Sequence, residues 1–268
     1  MKIGILNSDT VQIDGAKEFG QYPEMFSKIF WSVDPNLQFK TYEVQFNNYP
    51  LDINECDAYL ITGSKASSYD DVQWIHDLKK FIQRLDKDKK KLMGICFGHQ
   101  IIAEALGGAV RKSPNGWHAG VDSISLNSNA YEYGEDGKKY NLVFSHQDEV
   151  QKLPRNATLI AGSSTCPNGM FLIKNHIFCT QGHIELDKKF ARMIYDFRKK
   201  QIGDSKHQHA CITLAMSTDE HEVVKSILGF LKKLLNMVYR HQLLRAAIIC
   251  EMESNHLLAC VVCFDYPK

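Results

Sequence analysis

Two short stretches of this chain carry residue types at spacings that suit acyl-transfer chemistry. The first is Gly94-Ile95-Cys96-Phe97-Gly98-His99-Gln100, which follows an apolar run (Leu92, Met93, Ile95) and opens a helix-like segment (Ile101, Ile102, Ala103, Ala105, Leu106). Small residues two before and two after a nucleophile, between a strand and a helix, form the pattern of a nucleophile elbow. The turn is so tight that a Cβ beside the nucleophile would collide with its neighbours. At the head of a helix, the dipole and the unpaired N–H groups favour thiolate over thiol. The second stretch is Gly182-His183-Ile184-Glu185, after a β-like run and before a helical one. His183 can take the Cys96 proton, and Glu185 can fix the tautomer of the ring and stabilise the imidazolium. Taken singly, each has a plainer reading: a free cysteine is usually a small buried apolar residue, and a lone histidine is usually packed or solvated. Together, just past strand ends where parallel sheets carry their sites, Cys96, His183 and Glu185 read as a catalytic set.

The elements that must position these residues alternate along the chain. Residues 2–7 read as a strand, 18–31 as a helix with Phe19, Tyr22, Phe26, Ile29 and Phe30 at helical spacing, and 38–44 as an alternating strand. A short apolar strand over 58–62 ends at Gly63. An amphipathic helix over 72–85 carries Trp74, Ile75, Leu78, Phe81, Ile82 and Leu85 on one side. Shorter β-like pieces follow near 121–126, 142–144, 158–161, 170–173 and 177–180, and helices are expected over 187–201 and 219–239. Strands alternating with helices imply an α/β fold, a mostly parallel sheet covered on both faces.

Composition narrows the class. A chain of 268 residues, 44% apolar and 24% charged, can bury a large core without staples. A net charge of +1 argues against a nucleic-acid partner, and Lys87 to Lys91, the densest basic run, reads as a solvated connection. With no apolar stretch of about 18 residues and no leader ahead of the first strand, a cytoplasmic, membrane-free location is expected. There the eight cysteines should be reduced. Cys260-Val261-Val262-Cys263 lacks a second Cys or His pair at metal spacing and has apolar flanks, so it reads as a buried strand and no metal site is expected.

Five separated segments, in order, resemble the class I (triad-type) glutamine amidotransferases: residues 59–64, the elbow from Gly94 to Gln100, Gly116-Trp117-His118-Ala119-Gly120-Val121, Ser145-His146-Gln147-Asp148-Glu149-Val150, and Gly182 to Glu185. The resemblance covers residues 1–233, a domain of flavodoxin-like fold, and leaves 234–268 as a C-terminal extension without a functional account. It implies that the loop at Gly63 and the residue after the nucleophile, Phe97, supply the backbone N–H groups of an oxyanion hole. It further implies that Gln100 and the loop of Ser145 and His146 contact the substrate. Asp148 reads as an anchor of that loop. One departure stands out: the family usually has proline between the histidine and the glutamate, and this chain has Ile184.

The expected reaction is hydrolysis of the glutamine side-chain amide through a γ-glutamyl thioester on Cys96, with no metal or organic cofactor. The resemblance is closest to the amidotransferase half of GMP-synthase-like proteins. The Ser-Gly-Gly-x-Asp-Ser loop of an ATP-pyrophosphatase domain is missing from the sequence, so ammonia would pass to a separate synthetase. Stand-alone members of the family include γ-glutamyl peptidases, which use the same thioester on γ-glutamyl peptides, and this is the alternative reading. A binding protein on the same scaffold is the third.

Overall fold

In the computed structural model of the protein, residues 1–13 and 16–233 are described. Eleven strands run through them: β1 (Lys2–Asn7), β2 (Gln38–Glu43), β3 (Ala58–Ile61), β4 (Lys91–Ile95), β5 (Ala109–Lys112), β6 (His118–Leu126), β7 (Lys139–His146), β8 (Asp148–Lys152), β9 (Ala157–Gly162), β10 (Met170–Ile173) and β11 (Ile177–Thr180). The helices are α1 (Tyr22–Trp31), α2 (Gln73–Lys87), α3 (Phe97–Ala105), α4 (Lys188–Phe197), α5 (Lys199–Ile202) and α6 (Asp204–Thr213). The chain divides into two units, Met1–Leu228 and Gly229–Lys268, and the first carries the sheet.

Strands β3, β4 and β11 are buried at every residue, which an apolar run without polar alternation requires, since it needs cover on both faces. They form the centre of a nine-stranded sheet of order β2-β1-β3-β4-β11-β10-β9-β6-β7. The first five are mutually parallel. From β11 onward each neighbour is antiparallel, so β10 and β6 run against the other seven strands. The C-terminal ends of β3, β4, β11 and β7 therefore point the same way. A bridge between Val143 and His183 ties β7 to the segment just after β11. Helices α2 and α3 bury one apolar cluster against the sheet, including Ile75, Leu78, Ile82, Phe97 and Ile101. A second cluster joins Phe190, Ile194 and Tyr195 of α4 to Val121, Val143 and Met25 of α1. This is the expected α/β layering. Among the described residues no helix is long and apolar enough to cross a membrane.

Several boundaries differ from expectation for local reasons. The helix expected over 18–31 is broken: a 3-10 turn, Ala16–Phe19, stops at Gly20 with φ +74°, and α1 begins only after Gln21, whose capping box with Glu24 and the proline of the first turn fix its start. The helix expected over 187–201 starts as foreseen, with the Asp187 carboxylate accepting the Lys189 N–H at 2.7 Å, but ends at Phe197, and a short α5 precedes Gly203 at φ +85°. Strands β5 and β8 pair in a separate two-stranded ribbon. They and α6 carry polar or unpatterned sequence that gave no periodicity to read. Of the helix expected over 219–239, residues 220–233 are helical, and its remainder lies outside the described residues. So do residues 234–268 with Cys260 and Cys263. The five cysteines among the described residues are all unpaired.

The contact that fixes the centre is between α3 and β3. A Cβ on Gly98 would lie 2.3 Å from the Ile61 carbonyl oxygen, and one on Gly94 would lie 2.5 Å from the Gly98 carbonyl oxygen. Backbone cannot yield there as a flexible side chain could. Gly98→Ala is expected to destabilise the fold by about 1–3 kcal/mol through overpacking, read as a lower denaturation midpoint; an unchanged midpoint would mean that α3 can lift off β3 at no cost.

Candidate active site

Cys96 sits between the end of β4 and the start of α3, at φ +54° and ψ −104°. A non-glycine residue in that region is strained, by about 1–3 kcal/mol, and persists only where its surroundings over-determine it. Here its N–H donates to the Thr180 carbonyl at 3.0 Å, its carbonyl accepts the Gln100 N–H at 3.1 Å, and the two glycines let the turn close. The residue is 6% exposed, and that exposure opens into a cleft of about 470 Å³ lined also by Gln100, Trp117, Ser145, His146 and Arg198.

His183 reaches the same place from the end of β11. Its backbone N–H donates to the Val143 carbonyl at 2.8 Å. Its Nδ1 lies 2.7 Å from Glu185 Oε1, and its ring and Cys96 line the same small recess. A carboxylate only accepts, so Nδ1 carries a hydrogen. Burial alone would lower the imidazole's basicity. The negative charge of Glu185, its hydrogen bond to the ring and the nearby Cys96 sulfur outweigh it and raise the pKa to about 10. The Glu185 side chain is fully buried, and its second oxygen accepts the Ile184 N–H at 3.1 Å. The residue that departs from the family pattern thus supplies a donor that proline lacks.

Gly63 faces the pair: a Cβ there would lie 3.3 Å from His183 Cε1 and 3.9 Å from Cys96 Cβ. Among the described residues no acceptor takes the Gly63 N–H, and the Phe97 N–H, first in its helix, has no intrahelical partner. Gln100 spends both amide hydrogens inside the protein, on the Asp148 carbonyl at 2.7 Å and Gln181 Oε1 at 3.0 Å, which leaves its Oε1 as an acceptor beside the cleft. His146 donates from Nδ1 to the Asp148 carbonyl at 2.9 Å, and burial followed by the nearby His118 pushes its pKa well down, so the ring is neutral. Its buried Nε2 has no partner and can only accept. Ser145 Oγ accepts from Arg198 Nη1 at 3.1 Å. Asp148 does anchor the loop: its carboxylate takes Ser67 Oγ at 2.6 Å and the Tyr69 hydroxyl at 2.9 Å.

Of the eight residues expected from the sequence, Cys96, Gln100, Ser145 and His146 line the cleft, Gly63 and His183 join Cys96 and Ser145 in the recess beside it, and Phe97 and Glu185 line neither, Glu185 reaching the recess through His183. Three neighbours were missed. Gln181 orients Gln100, and its place directly after a strand was the available signal. Tyr22 and Arg198 border the small recess that also holds Cys96, His183 and Gly63, and nothing in their local sequence marks them. Asp196, His207 and Cys211 offer donor atoms within 4.8 Å of one another, but none lines the cleft. Arg192 Nε already bonds both Asp196 oxygens, at 3.0 and 2.9 Å, and His207 Nε2 lies 2.7 Å from Asp196, which makes the group a clasp between α4 and α6.

The model of the family "Glutamine amidotransferase class-I" matches residues 24–199. The chain belongs to this family. Gamma-glutamyl peptidase 3 of Arabidopsis thaliana is 36% identical over 188 residues, covering 67% of this chain and 75% of that protein. A glutamine-hydrolysing GMP synthase subunit of Pyrococcus furiosus is 31% identical over 121 residues, 45% of this chain and 63% of that one. In fold, the chain resembles a crystal structure of a glutamine amidotransferase from Thermotoga maritima, with a TM-score of 0.66 at 20% identity over 86% of this chain and 96% of that one.

Removing the charge of Glu185 tests the electrostatics of the pair. Glu185→Gln is expected to bring the His183 pKa down from about 10 toward the ordinary value of 6.5, followed by NMR titration of labelled imidazole. A titration that stays in place would show that Glu185 does not hold the proton on the ring.

Proposed function

We propose that this chain is a cysteine-dependent hydrolase of γ-glutamyl amides, working through a γ-glutamyl thioester. The observation that carries the reading is Cys96 sharing a recess with the hydrogen-bonded His183–Glu185 pair beside an open cleft, next to two N–H groups with no acceptor among the described residues. In this mechanism the Cys96 thiolate attacks the γ-carbonyl carbon, forming an S–C bond. The oxygen becomes an oxyanion and takes hydrogen bonds from the Gly63 and Phe97 N–H groups, each worth roughly 10²–10³ in rate. Collapse breaks the C–N bond as the His183 imidazolium passes its proton to the leaving nitrogen. Water then loses a proton to His183 and attacks the thioester; the S–C bond breaks, glutamate departs and the thiolate–imidazolium pair is restored. Gln100 Oε1 and His146 Nε2, both acceptors, suit the α-ammonium group of the glutamyl moiety. Protein groups and water account for every step.

The sequence put free glutamine first among substrates. Two findings move γ-glutamyl peptides ahead of it. Relatives covering two thirds of the chain are named gamma-glutamyl peptidases, and a cleft of about 470 Å³ is roomier than a single glutamine needs. Hydrolysis of free glutamine with transfer of ammonia to a separate synthetase is the second reading, favoured by the similarity to the Pyrococcus furiosus GMP synthase. Both use the same groups. Purified protein given glutamine and a γ-glutamyl dipeptide side by side separates them: glutamate release from the dipeptide at higher kcat/KM supports the first, and release from glutamine alone refutes it.

Cys96→Ser is expected to lower turnover by at least about 10³-fold, and wild-type-like turnover would remove Cys96 from the mechanism. Because the imidazolium must donate, kcat/KM should fall on the alkaline side only as pH rises through about 10, where His183 loses its proton. A loss setting in near 6.5 would contradict the thiolate–imidazolium pair.

A further inference from the structure

Arg198 closes α4 and borders both the large cleft and the recess around Cys96 and His183. Its guanidinium has two contacts: Nη1 donates to Ser145 Oγ at 3.1 Å, and its centre lies 5.5 Å from the Trp117 ring centroid. Among the described residues no carboxylate forms an ion pair with it. The neighbouring Arg192 has Asp196; of the two lysines that line the cleft, Lys65 lies 3.4 Å from Asp9, and Lys112 does not border the recess around Cys96 and His183. A guanidinium has five N–H donors in a fork that fits a carboxylate, and one of them is engaged here.

The recess is also where the leaving nitrogen must go, since His183 has to protonate it, and among the described residues Arg198 is the one arginine or lysine that lines it. When the leaving group is an α-amino acid, its carboxylate is attached to the carbon bonded to that nitrogen. The anion is then carried into the space that Arg198 borders. Ammonia from glutamine brings no such group.

Resting on the γ-glutamyl hydrolase reading above, we propose that Arg198 is a specificity-determining residue that recognises a carboxylate on the leaving group. The preferred substrates are then γ-glutamyl compounds whose amide nitrogen belongs to an amino acid with a free carboxylate. Ser145 and Trp117 are positioning residues that hold the guanidinium.

The test compares γ-glutamylglycine with γ-glutamylglycinamide, which differ in that one charge, using the purified full chain. The quantity read is the ratio of their kcat/KM values. Wild type should favour the carboxylate by about 10–100-fold, the scale of a charge-assisted hydrogen-bonded pair. Arg198→Met, which keeps an apolar stem on Trp117, should bring the ratio close to one, and Arg198→Lys should restore part of it. The preference should appear chiefly in KM. A wild-type ratio near one, or an Arg198→Met variant that slows both substrates alike with the ratio intact, overturns the proposal, the second result assigning Arg198 to the glutamyl half. If wild type cleaves neither compound, the hydrolase reading itself fails, an outcome distinct from cleavage of both without preference.

Discussion

A cysteine at φ +54° is held where its own Cβ resists, and the site exists because two parallel strands press that turn from either side. β4 lies between β3 and β11. From β3, the Ile61 carbonyl leaves no room for any side chain on Gly98, which sets how closely α3 can approach. From β11, the Thr180 carbonyl takes the Cys96 N–H and fixes the peptide before the sulfur. The same two strands then run on into Gly63 and His183. The neighbours that force the strained turn thus also bring Gly63 and the His183 ring to the recess beside Cys96, and a shift in one would displace the others.

Around this turn, polar groups are used up inside the protein in a pattern that leaves a defined remainder. Asp148 is the hub. Its two carboxylate oxygens hold Ser67 and Tyr69, while its carbonyl takes donors from Gln100 and His146. With those hydrogens spent, the atoms left beside the cleft on Gln100 and His146 are acceptors. Buried donors and acceptors without partners are costly, so the unfilled Nε2 of His146 favours a ligand that brings a hydrogen to it. The donors nearby are the Gly63 and Phe97 N–H groups and the Arg198 fork, the last resting on Ser145 beside His146.

Much of this layout was legible in the sequence because it depends on short-range constraints. Gly94 and Gly98 around Cys96, a histidine and a glutamate two residues apart after a strand, and Asp148 beside Ser145 and His146 are local patterns tied to strand ends. The central strands were legible for the same reason, being continuous apolar runs bounded by polar turns. What escaped was set by tertiary contact. Arg198 reads locally as a solvated helix end, and its meaning comes from Trp117 and Ser145, far away along the chain. Tyr22 was assigned correctly to a helix, but Gly20 and the capping box begin that helix late, and nothing nearby marks the phenol as facing the recess. The antiparallel half of the sheet was hidden because direction is not written in a strand's own composition.

Ile184 changes how its neighbour is secured. With proline at that place, the loop between histidine and glutamate would be stiffened by a ring and would have no hydrogen to offer. Here a peptide hydrogen does the holding, and the side chain is free to sit in apolar cover at 2% exposure. Two links, from that amide to the carboxylate and from the carboxylate to the imidazole, connect a main-chain atom to the reacting sulfur's partner. Deleting a single backbone hydrogen, with packing untouched, would therefore loosen the carboxylate that holds the His183 ring.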